Sequence, residues 1–104
     1  MPVDGTWNLT IATPLGKQQV TYRFFTEHGR LSGDATQGSE TVALLDLMLN
    51  GGRLTWTQQV TRPMKLKLSF DVTLDGDQLS GTAKAGALPA SKVYGERTNP
   101  GSRA

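Results

Sequence analysis

The 104-residue chain contains no cysteine and only one histidine, His28. Without thiols, neither a disulfide framework nor a thiolate metal site can form. With one imidazole, a multi-histidine metal centre is excluded as well. Long apolar runs are missing too, so no segment approaches the roughly 20 residues that a membrane-spanning helix needs. The start, Met1-Pro2-Val3-Asp4, lacks the basic-then-apolar order of a secretory leader. A soluble, cytoplasmic protein is therefore expected, although an exported chain already relieved of its leader would read the same. Charge of one sign is scarce: 11 Lys and Arg stand against 9 Asp and Glu, for a net charge of +2. That excess is scattered, whereas nucleic-acid binding needs a clustered basic face. Neither a nucleic acid nor a membrane is expected as a partner.

Helical periodicity is also absent. No stretch of helical length keeps a period of 3.6 with proper caps. Glycine is plentiful, at 12 residues. Between the glycines lie short segments rich in Thr, Val, Leu and aromatics that alternate apolar with polar, which is the strand signal. The spacing predicts eight strands near residues 6–12, 18–26, 31–36, 41–49, 53–61, 65–74, 78–85 and 91–97. They are joined by short turns such as His28-Gly29, Asn50-Gly51-Gly52 and Asp75-Gly76-Asp77. Short connections make antiparallel neighbours. Eight such strands in chain order favour an up-and-down barrel, which leaves no exposed edge. The expected fold is thus an all-β, eight-stranded antiparallel barrel, one domain over residues 5–98 with a flexible tail over 99–104.

The two halves of the chain match. Thr6-Trp7 recurs as Thr55-Trp56, and Pro14 as Pro63. Val20, Tyr22 and Phe24 recur as Leu68, Phe70 and Val72, and Leu31-Ser32-Gly33 as Leu79-Ser80-Gly81. The reading is an internal two-fold repeat of a four-strand unit. The turn at Asn50 sets the phase of the side chains. It places Leu45, Leu47 and Leu49 inside with Leu54, Trp56, Gln58 and Val60, and it places Asp46, Met48 and Arg53 outside. The same logic turns Trp7, Leu9, Ile11, Val20, Tyr22, Phe24, Leu66, Leu68, Phe70, Val72 and Leu74 inward. Strands three and seven carry Gly33, Ala35, Gly81, Ala83 and Ala85 on that face, so free volume is expected beside the rings.

At Gly5-Thr6-Trp7 and Arg97 the sequence resembles the calycins, the lipocalin and avidin type of barrel. The resemblance implies a Gly-x-Trp on the first strand with an arginine from the end of the barrel packed over the indole, a cation–π contact that closes the floor. Trp7 and Arg97 are then structural. The chain is shorter than typical lipocalins and lacks their disulfides and long lid loop. The resemblance implies a fold and a habit of binding small molecules, with no particular ligand.

The expected function is accordingly binding of a small hydrophobic or aromatic molecule in the lumen, lined by Tyr22, Phe24, Trp56, Gln58 and Phe70. Gln58 stands out because it falls where the other half has Leu9, and a buried amide is costly unless hydrogen-bonded. Tyr22 is the natural internal partner, and a ligand is the alternative. No cofactor is implied and no catalytic residue is assigned. His28 sits in a turn, Asp46 faces outward, and neither Tyr22 nor Gln58 is a general base near neutral pH. A small barrel enzyme of isomerase, cyclase or hydratase type is the second reading, and a filled barrel that serves as an assembly domain is the third. Strand four is apolar on both faces, with Val42, Leu44 and Met48 expected outside, which favours a homodimer built on it.

Overall fold

Alternating side chains and short glycine turns do give strands throughout. The computed structural model describes residues 3–13, 16–60, 66–86 and 89–98, and of Val60 only the backbone. The strands are β1 (Gly5–Thr13), β2 (Gly16–Glu27), β3 (Arg30–Gln37), β4 (Glu40–Ala43), β5 (Leu45–Asn50), β6 (Arg53–Val60), β7 (Leu66–Asp75), β8 (Gln78–Lys84) and β9 (Ser91–Arg97). All pairings are antiparallel, in the order β4-β3-β2-β1-β9-β8-β7-β6-β5. At the two ends of that order, β5 comes beside β3 and β4 beside β6, with Cα atoms within 8 Å. The sheet is a nearly closed up-and-down barrel. The turns at Pro14 and Pro63 and the tail over 99–104 lie outside the described residues.

The turns follow their residues. At His28-Gly29 both φ angles are positive, at 52° and 75°, as a type I′ hairpin requires. The hairpin after β5 pairs Asn50 with Arg53, which leaves Gly51-Gly52 as a two-residue loop with Gly51 at φ 66°.

Among the described residues the barrel has nine strands, not eight, because the expected fourth strand is broken in two. Asp46 adopts φ 52°, and the β5–β6 register slips between Leu45 and Met48. One extra residue in a strand reverses which side chains face the core beyond it. Leu47 and Leu49 keep their expected inward side and pack on the core. Leu45, expected inside, is 46% exposed. Val42 and Leu44, expected outside, pack against the core. The segment 40–50 closes the barrel in two pieces: β4 pairs with β3, and β5 pairs with β6.

Elsewhere the expected phase is observed. Trp7, Leu9, Ile11, Val20, Tyr22, Phe24, Leu54, Trp56, Phe70 and Val72 are buried in one core, and Leu68 and Leu74 pack on it half-buried. Val3, Ala35, Leu79, Ala83 and Val93 complete that core. The inward glycines do not leave the volume expected of them. A Cβ on Gly81 would overlap the Asp71 carbonyl, one on Gly95 would overlap that of Asn8, and one on Gly33 would lie 2.9 Å from that of Arg23. The neighbouring strand occupies the space. These residues let the sheet curl tightly rather than hollow it out.

The register also sets like against like. Trp7 lies opposite Tyr22, and Trp56 opposite Phe70. Tyr22 lies opposite Ala35, and Phe70 opposite Ala83. Phe24 faces Gly33, and Val72 faces Gly81.

Candidate functional site

One end of the barrel is sealed. The Arg97 guanidinium sits 4.8 Å from the centroid of the Trp7 ring. Its Nε donates to Asp77 Oδ1 at 2.8 Å, and another nitrogen donates to the Asp4 carbonyl. Trp7 Nε1 donates to the Val3 carbonyl at 2.8 Å. Gly5, at φ 131°, has Arg97 Cδ 3.3 Å from where a Cβ would stand, so the first position of the Gly-x-Trp motif needs glycine twice over. Thr98 then ties the end of β9 to β1 through a 2.8 Å bond from its N–H to the Thr6 carbonyl. The expected roles of Trp7 and Arg97 meet in this contact. Val3 carried no such signal in the sequence, because its part is played by a backbone oxygen.

The five expected lining residues, Tyr22, Phe24, Trp56, Gln58 and Phe70, come together on the barrel axis. Trp56 stacks on Phe70 with centroids 4.7 Å apart and planes 8° apart. Tyr22 meets Trp56 at 5.4 Å, and Phe24 meets Trp56 at 5.7 Å. The four rings therefore form one layered cluster in mutual contact. Such edge and offset contacts add roughly 0.5–1.5 kcal/mol each beyond the apolar area they bury.

Among the described residues Gln58 is the one buried side chain that is an amide or a charged group, at 4% exposure. Tyr22 Oη donates to its Oε1 at 2.6 Å, and Trp56 Nε1 donates to the same oxygen at 3.3 Å. An indole N–H can only donate, so the atom it meets must be the amide oxygen, and the tyrosine hydroxyl must donate too. The amide orientation is thereby fixed. Both bonds end on Oε1, and among the described residues nothing accepts from Nε2. Burial pushes the Tyr22 phenol well above its ordinary pKa, and the bond to Gln58 offsets part of that rise. Tyr22 stays protonated at physiological pH, so it serves as a donor rather than a base.

Beyond Gln58, away from Trp7, the inner face changes character. Ile11 and Val20 are buried, while Leu66, Leu68 and Ala85 are half-buried. Among the described residues no ring and no charged group lies among them on that face, but the half-buried Gln18 and Ser91 share it, opposite Ile11 and Ala83, and Gln37 Nε2 donates to Gln18 Oε1 at 2.8 Å. The two ends thus differ: one is capped by an ion-paired arginine over an indole, and the other finishes in a mainly aliphatic collar with amides at its mouth.

The remaining sequence candidates lie apart from this site. His28 is exposed in its turn, and Asp46 is exposed on the bulge. Among the described residues no group of three His, Asp or Glu side chains is placed to hold a metal ion, and no helix is long and apolar enough to cross a membrane. The fold is compatible with a calycin-like barrel. No protein-family model, curated protein or solved structure matches the chain.

Proposed function

We propose that the chain is a calycin-like binding barrel that takes a small, largely apolar molecule through the end opposite Trp7. The ligand rests above the aromatic cluster, not within it. Trp56, Tyr22 and Gln58 form its floor, Phe24 and Phe70 support that floor from beneath, and Leu66 and Leu68 stand at the rim. The supporting observation is the contrast between the ends: inward aliphatic side chains left half-buried at one end, and a fully capped indole at the other. Concave apolar sites with a few placed polar groups are the usual form of small-molecule pockets. The matched cross-strand pairs support a companion reading, that each half of the barrel is a copy of one four-strand unit.

The test is a titration with N-phenyl-1-naphthylamine, an uncharged probe that brightens when shielded from water. Saturable brightening in the wild type, lost in Leu68→Trp, whose indole fills the rim, is the expected result. Absence of saturable binding by a wild-type protein with native circular dichroism rejects the reading.

A second copy of the chain is the proposed partner at the broken strand. Leu45 and Met48 are exposed, the latter at 61%. Beside them runs a groove of about 700 Å³ whose lining includes Phe25, Leu44 and Leu47 together with the charged Arg30, Asp34 and Asp46. A two-fold axis through this face sets each Arg30 toward the other copy's Asp46, as a self-complementary interface demands. Sedimentation should give a concentration-dependent dimer that Met48→Glu converts to monomer. A wild type that is monomeric at millimolar concentration removes the proposal.

A further inference from the structure

We infer that the ligand of this barrel carries a hydrogen-bond acceptor, a ketone or aldehyde carbonyl or a comparable oxygen, and that the side-chain amide nitrogen of Gln58 binds it. The inference rests on the binding reading above and narrows the class of molecule. Its basis is hydrogen-bond accounting at one residue. The Gln58 side chain offers two acceptor sites and two N–H donors. Tyr22 Oη and Trp56 Nε1 together consume the oxygen. That arrangement points Nε2 away from the oxygen's two partners and leaves it with nothing to donate to among the described residues. Gln58 is 4% exposed and this nitrogen is not sealed from solvent, so a ligand that displaces water from it must bring an acceptor or leave the N–H unpaired.

The oxygen's partners make the donor selective. Trp56 cannot accept, so the amide cannot flip to offer its oxygen to a ligand without setting oxygen-seeking N–H groups against each other. The Tyr22 hydroxyl is committed to the same oxygen and is held protonated by burial. The unused N–H of Gln58 is therefore the group that a ligand above the cluster has to satisfy, while the Tyr22 oxygen keeps lone pairs of its own. A molecule with an oxygen acceptor on an apolar body satisfies it, and a pure hydrocarbon leaves it unsatisfied. Sites built around a hydrogen bond discriminate strongly against ligands that lack the matching group, because the protein's own group is then left unpaired.

The experiment compares two molecules of one shape, 2-acetylnaphthalene and 2-isopropenylnaphthalene, which differ by C=O in place of C=CH₂. Binding is measured by tryptophan emission, and the Gln58 side-chain amide is followed in ¹⁵N–¹H spectra of the wild type. The ketone should bind about tenfold more tightly, the difference one neutral hydrogen bond makes, and should shift the Gln58 NH₂ signals downfield. The alkene should leave those signals nearly in place. Gln58→Glu at pH 8 keeps an oxygen for Tyr22 and Trp56 but has no N–H, and it should abolish the preference. Equal binding of the two molecules with unmoved amide signals overturns the inference while the binding reading stands. Binding of neither molecule, together with no response to N-phenyl-1-naphthylamine, overturns both.

Discussion

Trp7 and Trp56 each lie across from an aromatic residue of the next strand. Their surroundings differ. The N–H of Trp7 ends on a backbone carbonyl, and its face is covered by an arginine that is itself bonded to Asp77 and Asp4. The N–H of Trp56 ends on the side chain of Gln58, at a longer distance, and its face is covered by Phe70. The acceptor for Trp7 is the backbone of a residue whose own side chain is fully buried, whereas the acceptor for Trp56 is a side-chain oxygen shared with Tyr22. The first indole anchors the fold, and the second belongs to the polar layer at the other end of the core.

The sharpest way to break this comparison is to replace each indole by a phenyl ring. Trp7→Phe strands the Val3 carbonyl, thins the arginine stack and leaves a gap, so it should cost about 2–3 kcal/mol. Trp56→Phe gives up a long hydrogen bond and the same volume, and should cost about 1–2 kcal/mol. Guanidinium denaturation of the two variants reads the difference directly. Equal costs, or a larger one at Trp56, would erase the distinction between anchor and floor.

A second series converts the Gln58 end into its counterpart. Gln58→Leu installs the residue type of Leu9 but leaves the Tyr22 hydroxyl buried without an acceptor, at a cost of about 1–3 kcal/mol. Adding Tyr22→Phe removes the stranded hydroxyl. The double variant should therefore regain about 1 kcal/mol relative to Gln58→Leu alone. Additive losses in this double-mutant cycle would mean that the two side chains do not act as a pair.

A further effect appears in alkali. The folded protein holds the Tyr22 proton above the ordinary tyrosine pKa of about 10, where the unfolded chain releases it. The unfolded state then binds fewer protons, so stability falls as pH rises, by about 1.4 kcal/mol per pH unit from this one group. Denaturation midpoints between pH 9.5 and 11.5 should fall more steeply in the wild type than in Tyr22→Phe. Parallel curves would show that the hydroxyl is not sealed in the core.

Much of this was legible in the sequence because parity is a local property. Two-residue alternation and a glycine turn are enough to send Trp7, Tyr22, Phe24, Trp56, Gln58 and Phe70 to one axis, and the mismatch of Gln58 with Leu9 marks the polar pair. Parity failed where one residue broke the count. Asp46 takes a positive φ without being glycine or asparagine, and nothing near it in the sequence announces a bulge, so Val42, Leu44 and Leu45 came out on the wrong sides. The glycines misled for another reason. Whether a missing side chain leaves a void or admits a neighbouring backbone depends on how tightly the sheet curls, and at Gly33 and Gly81 it curls tightly. The sequence likewise cannot show that the oxygen of Gln58 is used twice and its nitrogen not at all, since that depends on where two rings from different strands meet.

The broken fourth strand has one more consequence. Read outward from its break, the hydrogen-bonded order β5-β6-β7-β8-β9-β1-β2-β3-β4 is the chain order of a circularly permuted protein that starts at Leu45 and ends at Leu44. Thr98 is bonded to Thr6, so β1 and the end of β9 lie side by side and a linker from there can join the two ends of the described chain. The permutant needs no strand to change neighbours, and its new ends fall at the one place in the wall where the ladder is already interrupted.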